Sequence, residues 1–347
     1  MISTIRPARL YISISFVYRL RFVFLFIISL YFLYDYAIII AEVKDMLVKA
    51  IVPRGYCKGV VRAINIAKKA SDLDGPIYIL GMIVHNQYIV NALEELGIHT
   101  IDHKGKTRLE LLDDIDKGTV IITAHGAGED VFVKAQKKGL NVIDASCLDV
   151  IKTHDLIKEK LENGYDILYI GKHGHPEAEG AISINKEHIH LITNKDDFNK
   201  IDKDRKYVIT NQTTMSLYDV YDLCEYAKEI LPYVEIEKET CTATKVRQEA
   251  IQNMDEDIDI VFIVGDPHSN NTKKLASIAG KNKEVYMIDS VQELNINVLK
   301  GKKKAGVSSG ASTPTYLTHQ VIEFLKQFNE NDSSTYQKPV FDKTQII

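Results

Sequence analysis

Cys57, Cys147 and Cys241 are the residues with the most chemistry to offer. They are separated by 90 and 94 residues, and each follows a strand-like run (LVKAIV, NVIDA, YVEIE) and opens a helical segment. A helix amino terminus favours thiolate over thiol, the form that binds a metal. Two readings stand on these residues alone: independent core thiols, or three sulfurs brought to a shared centre by repeated units. Under the second reading the count matters. Structural zinc closes its shell with four ligands, often in close C-x-x-C pairs, and this sequence has no such pair. A cubane iron–sulfur cluster on three cysteines keeps one iron without a protein ligand. That iron can bind a substrate oxygen as a Lewis acid while the cluster supplies electrons. Such a site suits reductive or dehydrating chemistry at a hydroxyl group, and equally an electron relay or an oxygen sensor. Cys224 differs: in SLYDVYDLCEYAKEIL (216–231) it shares an apolar helix face with Val220, Ala227 and Leu231, the pattern of a buried helix thiol.

The elements that would position the sulfurs repeat along the chain. A short β-branched run, a polar or glycine-rich turn and a helical pattern recur in TVIITAHGAGED (119–130), DILYIGKHGHPEAEG (166–180), KYVITNQTTMSLYD (206–219), DIVFIVGDPHSNNTKK (259–274) and KAGVSSGASTPTYL (304–317). Strands alternating with helices imply an α/β fold of parallel sheets, with ligands at the carboxyl ends of the strands. The cysteine spacing divides the body into three similar α/β lobes, trefoil-like around a central site. They are 46–144 carrying Cys57, 145–238 with Cys147 at its start, and 239–328 with Cys241 at its start. A length of 347 residues fits several lobes better than one core.

Composition narrows the class. A hydrophobic share of 45% with 26% charged residues excludes a disordered chain, a fibrous repeat and a polytopic membrane protein. A net charge of −4 without a long basic run gives no footprint for nucleic acid. Four cysteines are too few for a disulfide scaffold, which points to a reducing, cytoplasmic setting.

The two ends read differently from the body. Residues 1–45 place Arg6, Arg9, Arg19 and Arg21 before an apolar run from Phe22 to Leu33, with Asp35 soon after. The run falls short of the roughly 20 apolar residues of a membrane span, and extending it would bury a carboxylate. The expectation is a translation start at Met46, with 1–45 a gene-calling artefact; a hydrophobic anchor is the other reading, and only then is a membrane a partner. The tail 329–347 is polar and patternless, and is expected to be frayed.

Several loop residues have two meanings. Glu177, after His175-Pro176, reads by itself as a charge at a helix amino terminus. Ser269 and Asn271 open the helix NTKKLASIAG, and Ser312 precedes Pro314 in SSGASTP. Each is a helix cap on its own, and two such caps among carboxyl-end loops make an anion site.

The motifs RGYCKGVVRAI (54–64), IVHNQYIV (83–90), TAHGAG (123–128), DASC (144–147), GHPEAEG (174–180), NQTT (211–214), TCTATKVRQEA (240–250), HSNNTKKL (268–275) and SSGASTP (308–314) occur in this order. Together they resemble the motif set of the 4-hydroxy-3-methylbut-2-enyl diphosphate reductase (IspH/LytB) family from about Met46 to Phe328. The resemblance implies three α/β lobes around one [4Fe-4S] cluster held by Cys57, Cys147 and Cys241. It implies an oxygen-sensitive oxidoreductase that removes the allylic hydroxyl of the diphosphate, giving isopentenyl and dimethylallyl diphosphates in the last step of the non-mevalonate isoprenoid pathway. It further implies Glu177 as proton donor and Thr213 in proton relay. His85, His125, His175, Ser269, Asn270, Asn271 and Ser312 would hold the diphosphate, and reduced ferredoxin or flavodoxin would supply electrons. Two positions depart from the family pattern: Leu148 stands where proline commonly follows the second cysteine, and Asn270 where a second serine is usual. Two other readings stay open, a quinolinate-synthase-like lyase with a three-cysteine cluster and a non-catalytic iron–sulfur sensor.

Overall fold

The β-branched runs form the strands, and the segments after their turns form the helices, in a computed structural model that describes residues 46–237 and 241–347. The expectations for residues 1–45 lie outside the described residues. In chain order the elements are β1 (Leu47–Ala50), α1 (Lys58–Ala70), β2 (Ile77–Leu80), α2 (Gln87–Glu95), β3 (Ile98–Ile101), α3 (Arg108–Leu111), β4 (Thr119–Ile122), α4 (Glu129–Lys137), β5 (Asn141–Asp144) and α5 (Leu148–Glu162). They continue with β6 (Asp166–Ile170), α6 (Pro176–Ser183), β7 (Ile189–Ile192), β8 (Tyr207–Asn211), α7 (Leu217–Ile230), β9 (Val234–Ile236) and α8 (Thr242–Gln252). The last are β10 (Ile260–Val264), α9 (Asn270–Ala279), β11 (Glu284–Ile288), β12 (Lys304–Ser309) and α10 (Thr315–Gln327).

The described strands form three parallel four-stranded sheets, ordered β3-β2-β4-β5, β7-β6-β8-β9 and β11-β10-β12-β1. The three orders are the same once β1 is counted as the fourth strand of the third sheet. Here the structure differs from the expected boundaries, which count Leu47–Ala50 with the first lobe. Leu47 pairs with Lys304 and Ala50 with Val307, so the start of the described chain completes the third sheet. Sequence order alone could not show this, because a parallel partner need not be a neighbour in the chain.

Burial follows position in the sheet. The central strands β4, β6, β8 and β10 are buried at every residue, as parallel strands covered on both faces must be. The edge strands β1, β5 and β9 have no fully buried residue. A continuous core joins Ile79 and Ile121 of the first sheet to Phe262 and Val307 of the third and to Leu317 and Phe324 of α10. The second lobe has its own core, in which Cys224 packs with Val220, Ala227 and Leu231. Among the described residues no helix is long and apolar enough to cross a membrane.

The tail is ordered where fraying was expected. Tyr336 stacks on Phe328 with ring centroids 5.4 Å apart. Ile346 is buried, and its carbonyl accepts from the Tyr56 hydroxyl at 2.7 Å. The tail's few apolar residues are spaced too irregularly to show a period, yet Tyr336, Phe341, Ile346 and Ile347 pack against the core.

Gly118 immediately precedes β4, the strand that leads to the His125 loop, with φ +105°, and an added Cβ would come within 2.2 Å of the Pro76 carbonyl oxygen. The same carbonyl accepts from the Thr119 amide at 2.9 Å, so it has no room to withdraw. Gly118→Ala is expected to cost at least about 2 kcal/mol, through the left-handed backbone and the clash together. Urea unfolding checks this, and an unchanged midpoint would contradict it.

Candidate active site

The loops after the strands converge on one cavity, and its lining includes all twelve residues singled out in the sequence: Cys57, Cys147, Cys241, His85, His125, His175, Glu177, Thr213, Ser269, Asn270, Asn271 and Ser312. The sheets divide the labour. Central strands β2, β4, β6, β8, β10 and β12 lead respectively to His85, His125, His175 with Glu177, Thr213, Ser269 with Asn271, and Ser312. The edge strands β1, β5 and β9 lead to the three cysteines, one from each sheet.

Each cysteine is the N-cap of the helix that follows, α1, α5 or α8. The Cys57 amide donates to the Ala311 carbonyl and the Cys147 amide to the Ala124 carbonyl, each at 3.0 Å. Arg62 of α1 donates to the Ser146 carbonyl at 2.7 Å, tying the first two cysteine loops together. Between them lies Gly59, where an added Cβ would sit 2.5 Å from Cys147 Sγ and 3.8 Å from Cys57 Sγ. At Cys147 and Cys241 the helix ends do not by themselves favour the thiolate, contrary to the expectation from sequence. Burial pushes the Cys147 thiol up and the Cys241 thiol to about 12. Three unbridged, half-buried thiols around one cavity, with a glycine clearing space beside two of them, fit a thiophilic metal group that displaces their protons. Leu148 is exposed at the first position of α5, where proline would be well placed, and the Cys147 amide is anchored without it.

Glu177 lies on α6, one residue after Pro176, and is 1% exposed. The Thr213 amide donates to its Oε1 at 2.7 Å and the Thr213 hydroxyl to its Oε2 at 2.9 Å. Those bonds favour the charged carboxylate, yet burial outweighs them and raises the group to about 7. It is therefore a carboxyl that can hold or release a proton near neutrality. The fully buried Tyr169 lies beside it, with its hydroxyl raised far above the ordinary phenol value by the same burial.

The imidazoles of His85, His125 and His175 form a tight group, with ring centroids 4.6, 5.3 and 5.8 Å apart. Burial holds all three below the ordinary histidine value, His175 at about 3, so they are neutral at pH 7. The Glu177 amide donates to His175 Nδ1 at 3.2 Å, which leaves the ring proton on Nε2. His175 Nε2 and His125 Nε2 are both buried without a partner among the described residues. The Asn271 side chain, amide nitrogen and oxygen alike, is also buried and unpaired. Ser269 caps α9 through the Thr272 amide, and Ser312 donates to the His85 carbonyl at 3.0 Å. Asn270 has a second occupation: its side-chain oxygen accepts from Lys172 Nζ at 2.6 Å, clasping the second lobe to the third. Buried polar groups are rarely left unpaired, so this wall of the cavity is shaped for a ligand rich in acceptor oxygens.

Sequence reasoning missed Gly59, Tyr169, Lys172 and Arg108. Only Arg108 carried a signal: a cation in the first turn of a helix opposes the helix dipole.

A profile of the LytB protein family matches residues 48–326. A Geobacillus thermodenitrificans protein named 4-hydroxy-3-methylbut-2-enyl diphosphate reductase is 50% identical over 294 residues, covering 83% of this chain and 92% of the relative. The Bacillus subtilis protein of the same name is 49% identical over 290 residues, covering 82% and 92%. Among solved structures, the E-1-hydroxy-2-methyl-but-2-enyl-4-diphosphate reductase from Plasmodium falciparum superposes with TM-score 0.75 at 31% identity, covering 80% of this chain and 87% of that one. A second, described as the terminal enzyme of the non-mevalonate pathway, gives TM-score 0.59 at 28% identity, covering 80% and 98%. The chain belongs to the LytB family.

Proposed function

We propose that this chain is a 4-hydroxy-3-methylbut-2-enyl diphosphate reductase, an oxidoreductase that removes the allylic hydroxyl to give isopentenyl and dimethylallyl diphosphates. The observation that carries the reading is the content of one cavity: three cysteine sulfurs, a buried carboxyl poised near pH 7, and unpaired donors on the opposite wall. The reaction consumes two electrons and two protons, breaks the C–O bond, leaves a C–H bond and releases water. Cys57, Cys147 and Cys241 would hold a [4Fe-4S] cluster, which would supply those electrons and Lewis acidity towards the hydroxyl.

The chain's own residues do the rest. His125 and His175 present ring nitrogens, and Asn271 its amide, to the diphosphate oxygens, while Ser269 and Ser312 add hydroxyls. Glu177 delivers protons to the departing hydroxyl and the allylic carbon, and Thr213 fixes the carboxyl and relays the proton. Glu177 is itself 1% exposed, so its carboxyl is a proton source within the cavity, away from bulk water. Electrons arrive from a reduced ferredoxin or flavodoxin, and the setting is cytoplasmic. An intact acid and a complete donor wall favour an enzyme over a vestigial sensor, and the reductive requirement separates it from a lyase.

Anaerobic protein is expected to carry about four iron and four sulfide per chain and to turn over the hydroxylated C5 diphosphate with reduced viologen. Protein without inorganic sulfide, or turnover that consumes no electrons, would overturn the reading. Replacing Cys57, Cys147 or Cys241 with Ser should abolish or weaken cluster assembly, while Cys224→Ser should leave the iron content unchanged.

Glu177→Gln should keep cluster and substrate binding while slowing turnover by at least about 10²-fold. Its sign with pH follows from the raised carboxyl: the proton-donating form prevails below about 7 and is lost above it. The wild-type single-turnover rate should therefore fall as pH rises through 7, and the Gln variant should lack that limb. Gly59→Ala separates helix from site. Alanine is the better helix former by roughly 1 kcal/mol, yet its Cβ would stand 2.5 Å from Cys147 Sγ, which must turn aside, so the variant should keep its helical content and bind less iron.

A further inference from the structure

Among the described residues, Arg108 is a buried cation with no ion-pair partner. It is 7% exposed, and its Nη2 donates to Thr123 Oγ1 at 2.6 Å, while Nε and Nη1 are buried and have no partner. Glu179 and Asp102 act on it only through space. Burial pulls the guanidinium down to about 10, which leaves it charged at neutral pH. An uncompensated buried charge is among the more expensive features a fold can keep, and replacing it by an apolar side chain of similar size commonly stabilises a protein.

Its placement says what the charge is for. The Nη2 atom lies 3.5 Å from where a Cβ would stand on Gly81, in the turn between β2 and the His85 loop. Thr123, its one partner, ends the approach from β4 to His125. The guanidinium thus sits behind both histidine loops and lines a neighbouring cleft instead of the active-site cavity. Its field reaches all three imidazoles and holds each of them further towards the neutral form. Neutral imidazoles can donate hydrogen bonds to a diphosphate but cannot offset its charge. Lys172, the other cation acting on His175, is partly exposed and engaged with Asn270.

We propose that Arg108 is a positioning residue for the anionic end of the substrate: a fixed buried cation, held behind the His85 and His125 loops by Thr123, whose field draws the diphosphate onto the histidine wall without touching it. The proposal rests on the reading of that wall as a diphosphate site. It predicts a residue that weakens the free protein and strengthens the liganded one.

The test uses the anaerobic holoenzyme and inorganic diphosphate as the probe, with binding measured by calorimetry. Arg108→Met and Arg108→Gln should bind it at least about tenfold more weakly, the scale of a unit charge acting across several ångströms at an effective dielectric of about 20. Their melting temperatures should equal or exceed the wild type, with iron content unchanged. Arg108→Lys, which keeps the charge, should restore most of the affinity. With the C5 substrate the loss should fall on KM and not on kcat. If wild-type protein does not bind inorganic diphosphate, the reading of the wall fails and this proposal with it. If it binds and Arg108→Met binds equally well, this proposal alone fails. Unfolding or a lowered melting temperature in both neutral variants would make Arg108 a structural residue and overturn it as well.

Discussion

The parallel pairing of β1 with β12 is the contact on which the site depends. It completes the third sheet with the first described strand, and so carries the Cys57 loop to the same centre as Cys147 and Cys241. The loop is then fixed from three sides. The Gly55 amide donates to Ser309 Oγ at 2.7 Å across 254 residues of chain, its carbonyl accepts from Arg247 at 2.7 Å, and the Cys57 amide reaches Ala311. Arg247 belongs to α8, the helix that Cys241 caps, so one peptide group couples the first cysteine to the third. The entropy of closing a long loop grows only slowly with its length, which is why a ring of sheets can close through its ends at modest cost. What the closure provides is symmetry of function: each sheet gives one sulfur from an edge strand and acid, donors or hydroxyls from its two central strands.

Withdrawal of this centre from water then sets the protonation of nearly every group around it. The same burial raises Glu177 to about 7, pushes the Cys147 and Cys241 thiols up, and holds the three histidines neutral. These shifts have one cause and three consequences. The carboxyl can hold a proton near neutrality, the Cys147 and Cys241 thiols are harder to ionise, and the imidazoles are neutral groups able to donate. Arg108 escapes the trend because a guanidinium lowered to about 10 is still protonated in the cell's pH range. Behind a cavity where burial favours the neutral forms of acid, thiol and imidazole, a guanidinium is the side chain able to remain a cation.

The strands and the cap positions of the cysteines were legible from local pattern, whereas the cavity lining was legible only through the resemblance to the family's motifs. A β-branched run followed by a polar turn and a helical period announces a strand, a loop and a helix amino terminus wherever it occurs. Cys224, with Val220, Ala227 and Leu231 on its face, was readable as core for the same reason. Three features were not readable, and each depends on contacts between distant segments. The partner of β1 is set by closure of the ring. The order of the tail is set by Phe328, Tyr56 and the core beneath Ile346. The thiol state of Cys147 and Cys241 is set by how much water the assembled lobes exclude, a quantity that no helix end carries by itself.

The two departures from the family pattern show how far local reading extends. Leu148 loses the preset backbone of a proline, but the cap it would have stiffened is already held by the Ala124 carbonyl on the neighbouring strand's loop. Asn270 gains reach over a serine, and the structure uses that reach outward, towards Lys172, as well as into the cavity. A serine hydroxyl, with a shorter stem and no amide oxygen, could not span the same gap to the second lobe. Asparagine at this position therefore replaces a small donor with a residue that also joins two loops lining the cavity, and its effect falls on how those loops are held together more than on how many donors they present.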